Sequence, residues 1–231
     1  MVASPLISHP EHLPVIATRE GEPPVPAERL LPTALRDRFA NPPEWQPEIA
    51  AEHGLARLGQ AVLPRQAAVL VPLVERGEGL TVLLTRRTAH LSAHAGQISF
   101  PGGSREPEDP NPVATALRET REEIGLKTEH VEVIGTLPDY VTGTGFRIAP
   151  VVGLVAPPFA LQADRQEVDE IFEVPLHFLM NPNNHQVRLF KWLVGERHFY
   201  AMPYPRPGGG EFFIWGATAA MLRNFYHFLS A

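Results

Sequence analysis

The sequence predicts an α/β (α+β) layered domain, and three observations carry that prediction. Several short Val- and Leu-rich segments read as strands, only two segments read as substantial helices, and the strands do not alternate with helices as a doubly wound array requires. The chain of 231 residues is 44% hydrophobic and 20% charged, which supplies enough apolar material for one buried core.

Residues 1 to about 28 are rich in Pro and polar residues and lack any period, so a flexible, loosely draped extension is expected there. Leu31, Leu35 and Phe39 recur at a spacing of four, which predicts a short helix over 34–39, before Pro42-Pro43. One domain over 29–231 follows, with a catalytic core at about 65–229 whose packed part begins near Arg65. Residues 67–74 and 80–85, separated by Glu75-Arg76-Gly77-Glu78-Gly79, read as a hairpin of buried strands. Residues 97–100 form a short strand running into Pro101-Gly102-Gly103. Further strands are expected at 131–137, 146–155, 171–174, 187–194 and 211–215, and helices at 112–124 and 217–229.

Bulk properties exclude several functions. A net charge of -6 with no long basic run does not suit nucleic-acid binding, which needs a positive footprint. The absence of cysteine rules out disulfides, thiol catalysis and zinc–thiolate sites. No apolar run approaches the roughly 20 residues needed to span a bilayer, so no membrane role is expected. The first residues lack a basic start followed by an apolar stretch, and Glu11, Glu20 and Glu22 do not suit a transit peptide, so a cytoplasmic setting is expected. Oligomeric state stays open between monomer and homodimer.

The helix over 112–124 carries the chemistry. Asn111 suits a cap, Pro112 the first helical position, and Gly125 the left-handed residue after the last turn. Val113, Leu117, Thr120 and Ile124 fall in one arc and should face the core, while Glu119, Glu122 and Glu123 gather on another face. Three helical glutamates usually make a solvated surface. Here Glu119 and Glu123 are like charges at i,i+4, which destabilises a helix unless a cation intervenes. Carboxylates are the ligands that Mg²⁺ or Mn²⁺ prefers, and Arg118 stands ready to orient one of them. The preceding Phe100-Pro101-Gly102-Gly103 supplies glycines that let a ligand approach the backbone closely.

These residues resemble the Nudix box, G-x5-E-x7-R-E-U-x-E-E-x-G-U, where U is bulky and apolar. Arg118-Glu119-Thr120-Arg121-Glu122-Glu123-Ile124-Gly125-Leu126 matches its second half, with Thr120 at the first U position. From Gly103 to Arg118 the chain has one residue more than the box; Asp109 lies where its first Glu would be, and Pro110 is the apparent insertion. Leu83-Leu84-Thr85-Arg86-Arg87, His90-Leu91, His94-Ala95-Gly96-Gln97, Gly145-Phe146-Arg147-Ile148-Ala149-Pro150, Glu167-Val168 and Ile214-Trp215-Gly216-Ala217-Thr218 are similar to the coenzyme A pyrophosphatase subfamily. Ser92 stands where that subfamily usually carries Arg, and Thr88 where it carries a smaller residue.

The resemblance implies an α/β/α sandwich around a mixed sheet and metal-dependent hydrolysis of a phosphoanhydride bond in a small nucleotide derivative. Coenzyme A or a thioester of it would give adenosine 3′,5′-bisphosphate and 4′-phosphopantetheine. ADP-ribose, dinucleoside polyphosphates, or nucleotide binding without catalysis are the alternatives. It implies metal ligation by Glu119, Glu122 and Glu123 and catalytic roles for Glu122, Glu123, Arg118 and Glu167, the last brought in on a late loop or left as an ordinary polar residue there. Arg87, His94, Gly102, Gly103 and Phe146 are the candidate substrate-binding residues. His94 either bonds a phosphate or holds its loop, and Phe146 and Tyr140 either stack on an adenine or belong to the core.

Overall fold

The computed structural model describes residues 7–52, 64–88, 96–193 and 195–231. In chain order the strands and helices are β1 (Val15–Thr18), α1 (Pro32–Ala40), β2 (Arg65–Arg76), β3 (Gly79–Arg87), β4 (Ile98–Ser99), β5 (Gly102–Ser104), α2 (Pro112–Ile124), β6 (Val131–Thr136), β7 (Tyr140–Val141), β8 (Phe146–Val155), β9 (Val168–Pro175), α3 (Leu176–Leu179), β10 (Gln186–Trp192), β11 (Gly195–Pro205), β12 (Glu211–Trp215) and α4 (Gly216–Ser230).

The main sheet has eight strands. Its central path runs β4-β3-β2-β8-β6, with β5 on β2, β7 on β8 and β9 on β3. Only β2 and β8 pair in parallel, from Arg65 opposite Phe146 to Val74 opposite Val155, so the sheet is mixed. Both strands are apolar without alternation because both faces of the sheet are covered. Ala68, Leu70 and Val74 of β2 pack under α2 with Ala116, Ile124 and Val151. Val69, Val71 and Leu73 point the other way, toward α4 and its Leu222, Phe225 and Leu229. That helix–sheet–helix layering is the expected sandwich. Pro72, which has no N–H to give, falls where the antiparallel neighbour of β2 changes from β5 to β3.

A second sheet, order β1-β10-β11-β12, was not foreseen. It is antiparallel, and β11 packs against α4. Residues 195–205 were not read as a strand because they begin with the polar Gly195-Glu196-Arg197-His198 and end among Pro203 and Pro205. Their middle, Phe199 to Met202, is buried.

The expectation of a loosely draped segment over 1–28 is corrected for its described part. β1 pairs with β10 from Val15 opposite Arg188 to Thr18 opposite Gln186. Glu22 bonds the Arg223 guanidinium at 2.7 Å, and Arg223 is only 2% exposed. Further along, Phe39 of α1 meets Phe228 of α4 with ring centroids 4.7 Å apart. The packed structure therefore begins well before Arg65. Among the described residues, no helix is long and apolar enough to cross a membrane.

Candidate active site

Local sequence fixes α2. The Asn111 side chain accepts from the Ala114 N–H at 3.0 Å, Pro112 opens the helix, and Gly125 closes it at φ 70° with its N–H on the Arg121 carbonyl. Ala116, Thr120 and Ile124 are buried, and Val113 and Leu117 pack beside them. Thr120, polar at a position where the box is apolar, is satisfied by donating to the Ala116 carbonyl at 2.6 Å.

The glutamates divide by depth. Glu123 is 5% exposed and accepts from the Gly102 N–H at 3.1 Å. Burial pushes its carboxyl up to about 7. Glu119 is also raised, again chiefly by burial. It lies so close to Gly103 that a Cβ there would sit 2.6 Å from its carboxylate. Glu122 faces outward and pairs with Arg118 at 3.0 Å. The single face expected for all three is thus corrected: two lie behind the glycine strand β5 and one lies at the rim. Among the described residues, the one place where three potential metal-ligand atoms come within 4.8 Å of each other is His9, Glu11 and His12, away from this helix.

Arg118 explains the shifted first half of the box. Its Nε and Nη2 grip both oxygens of Asp109 at 3.1 and 2.9 Å, and Nη2 also bonds the Ser104 carbonyl at 3.1 Å. This guanidinium holds the Asp109 carboxyl well below the usual carboxylate range. Asp109 in turn accepts from the Glu106 N–H and the Thr115 hydroxyl, both at 3.0 Å. Asp109 thereby ties the loop to the helix, and Arg118 spans from that tie to Glu119, 3.0 Å away.

Glu167 reaches the same end of the molecule. The Gln162 and Asp164 N–H groups donate to the carbonyls of Ile124 and Glu123, pinning its loop to the end of α2. Arg87 then stands between Glu167 at 3.5 Å and Glu123 at 3.4 Å. The Glu167 charge helps raise both Glu119 and Glu123. Arg87 and Arg118 face these three carboxylates, and Arg118 also serves Asp109 and Glu122, so negative charge is in excess around the cluster. An all-oxygen donor set of that kind fits a hard divalent cation.

A cavity of about 390 Å³ opens beside this cluster. Arg87, Gly102, Gly103 and Phe146 line it, whereas Glu119 and Glu123 lie behind the glycines, Glu167 lies behind Arg87, and neither Arg118 nor Glu122 is in its wall. Phe146 is partly exposed and carries the Arg65 guanidinium 4.0 Å from its ring centroid. His94 lies outside the described residues. Thr142, Gly143 and Thr144 also line it, within the segment 140–147 expected to contact the substrate beyond the diphosphate, whereas sequence reasoning missed Arg197 and gave Trp215-Gly216-Ala217 no substrate role. No spacing signal marks these residues, because separate strands bring them together.

The NUDIX domain family model matches residues 64–197. A protein of Citrobacter koseri described as an uncharacterized Nudix hydrolase, NudL, is 40% identical over 168 residues, covering 72% of this chain and 83% of its own length. The NudL protein of Escherichia coli K12, described in the same words, is 39% identical over 162 residues, covering 69% and 80%. A Nudix hydrolase structure from M. smegmatis, RenU, overlaps 49% of this chain and 71% of its own at 25% identity and a TM-score of 0.42.

Proposed function

Since this chain belongs to the Nudix hydrolase family, we propose that it hydrolyses a nucleotide derivative at its diphosphate, with coenzyme A or a coenzyme A thioester as substrate. The observation that carries the reading is the buried pair Glu119 and Glu123, held against Gly103 and Gly102 beside Arg87 and the mouth of a cavity.

Glu119 and Glu123, with Glu122 swinging in from the rim, are the residues that would hold Mg²⁺ or Mn²⁺. Such an ion supplies neutralisation of phosphoryl charge and a lowered pKa for the attacking water. The chain's own groups do the rest. Arg87 presents two guanidinium edges to a phosphate oxygen once drawn from Glu123 and Glu167. The Gly102-Gly103 backbone allows the diphosphate to approach without side-chain obstruction. Glu167 accepts the proton of the water that attacks phosphorus, while the phosphoanhydride P–O bond breaks and the leaving phosphate takes up the electron pair. Arg118 orients Glu119 and Glu122 and does not touch the reacting atoms.

A mass-spectrometric screen tests this. Coenzyme A, its thioesters, ADP-ribose, reduced NAD and dinucleoside polyphosphates are each incubated with the protein and Mg²⁺ or Mn²⁺. The expected products are adenosine 3′,5′-bisphosphate and 4′-phosphopantetheine from coenzyme A. Turnover confined to ADP-ribose or the polyphosphates would replace the substrate assignment; no turnover of any compound with either ion would remove the catalytic one.

A further inference from the structure

The early segment holds a donor set quite unlike the carboxylates of α2. Pro10–His12 form a single 3-10 turn with His9 as its N-cap residue and Pro10 buried. Such a turn repeats about every three residues, so the side chains of His9 and His12 emerge on the same side. Their rings stack with centroids 5.7 Å apart. Glu11 meets both: its Oε1 is 3.3 Å from His9 Nδ1 and 3.7 Å from His12 Nε2. One ligand atom from each of the three residues lies within 4.8 Å of the other two.

Zinc held tetrahedrally by nitrogen and oxygen keeps neighbouring ligand atoms roughly 3.4 Å apart, close to both measured separations from Glu11. The third separation closes by rotation of two exposed imidazoles. The backbone beneath them is fixed. Arg188, buried on β10, donates to the Glu11 and Leu13 carbonyls at 2.8 and 2.7 Å, on either side of His12. The ligands are thereby carried on a turn fastened to the second sheet. A lone His–Glu pair at the surface contributes little to stability. Two rings meeting one carboxylate oxygen form a chelating set, and its nitrogen donors suit a borderline cation better than Mg²⁺.

We propose that His9, Glu11 and His12 form a second metal site, which takes zinc with water as the fourth ligand. The assignment does not depend on the hydrolase reading. Ile7, two residues before His9, lines the 390 Å³ cavity, so the ion fastens the chain where it leaves that cavity's wall.

The probe is Zn²⁺, titrated calorimetrically into the full chain without a histidine tag, in about 10 mM Mg²⁺ to supply the α2 carboxylates with a hard ion. Wild type is expected to bind zinc at this site with Kd of about 10 μM or tighter. His9→Ala and His12→Ala, both at exposed positions, should each weaken that binding at least about 10-fold. Glu11→Gln should weaken it as well, while leaving the backbone carbonyl that Arg188 holds. Glu123→Gln, which disables the α2 cluster, should bind as wild type does. No uptake by wild type, wild-type affinity in His9→Ala or His12→Ala, or loss of uptake in Glu123→Gln would each overturn the proposal.

Discussion

A methyl group on Gly103 would sit 2.6 Å from the Glu119 carboxylate, closer than a real Cβ contact allows. The obstacle is the far end of a flexible side chain, so the fold can yield there while the carboxylate moves away. Gly103→Ala is therefore expected to lower kcat at least about 10-fold, the scale of disturbing a metal ligand's surroundings. Its Tm should stay within about 2 °C of wild type, corresponding to less than 1 kcal/mol. Equal kcat in the two proteins would mean that Glu119 needs no fixed place. Glu123→Gln makes the complementary case. The buried carboxyl already favours its proton, with burial pushing it up to about 7, so a neutral amide should not destabilise the fold. A neutral amide is a poor partner for a divalent ion, and kcat should fall by more than the ~10–100-fold typical of outer-shell changes. Near-wild-type turnover with Mg²⁺ or Mn²⁺ would discard Glu123 as a ligand. Spacing alone led to Glu119, Glu123, Gly102 and Gly103, because they lie within one turn of helix and one adjoining loop. It did not lead to Arg197, whose neighbours come from distant strands.

The boundaries of α2 were legible because each end is written in chemistry: an Asn that bonds the Ala114 N–H and a Gly at φ 70°. Removing the first of these signals should cost about 1 kcal/mol, the usual worth of such a cap. Asn111→Ala is thus expected to lower Tm by about 2–4 °C for a chain of this size. The cap lies at the end of the helix opposite Glu123, so kcat for the cleaved substrate should be retained. An unchanged melting curve would show that Asp109 and Arg118 hold the start of α2 without the cap. The second sheet was much less legible. β11 has buried residues only in its middle, and its ends carry the charges and prolines that usually mark loops. Strand β1 did have a signal, the β-branched Val15, Ile16 and Thr18, but four residues among prolines are too short a run to outweigh their surroundings. What makes both into strands is pairing across β10, which no local pattern encodes.

At the scale of the molecule, the segment before Arg65 is joined to α4 through a buried cation. Arg223 is gripped by Glu22 at 2.7 Å and Glu48 at 2.7 Å, and it donates to His185 Nδ1 at 3.3 Å. The other ring nitrogen of His185 lies 2.7 Å from the Leu179 carbonyl. A carbonyl can only accept and a guanidinium can only donate, so His185 is the neutral tautomer with its proton on Nε2. A second proton would point at Arg223. His185 is fully buried, and burial pulls it down from 6.5 to about 4, with Arg223 and His227 adding to that and Glu48 opposing it. Between those values the unfolded chain binds a proton that the folded chain does not, so stability increases with pH across the window. The contribution is complete above about 6.5 and is lost as pH falls toward 4, reaching about 3 kcal/mol at the bottom. Other carboxylates titrate near the lower end, so the measurement is a difference. Urea unfolding of wild type and His185→Gln is followed between pH 7 and pH 4.5, where the amide can keep both hydrogen bonds but cannot titrate. Wild type should lose stability more steeply than the variant as the pH is lowered. Parallel slopes would mean that the proton enters His185 at little cost, and that the contact joining the early segment to α4 is not held by a neutral imidazole.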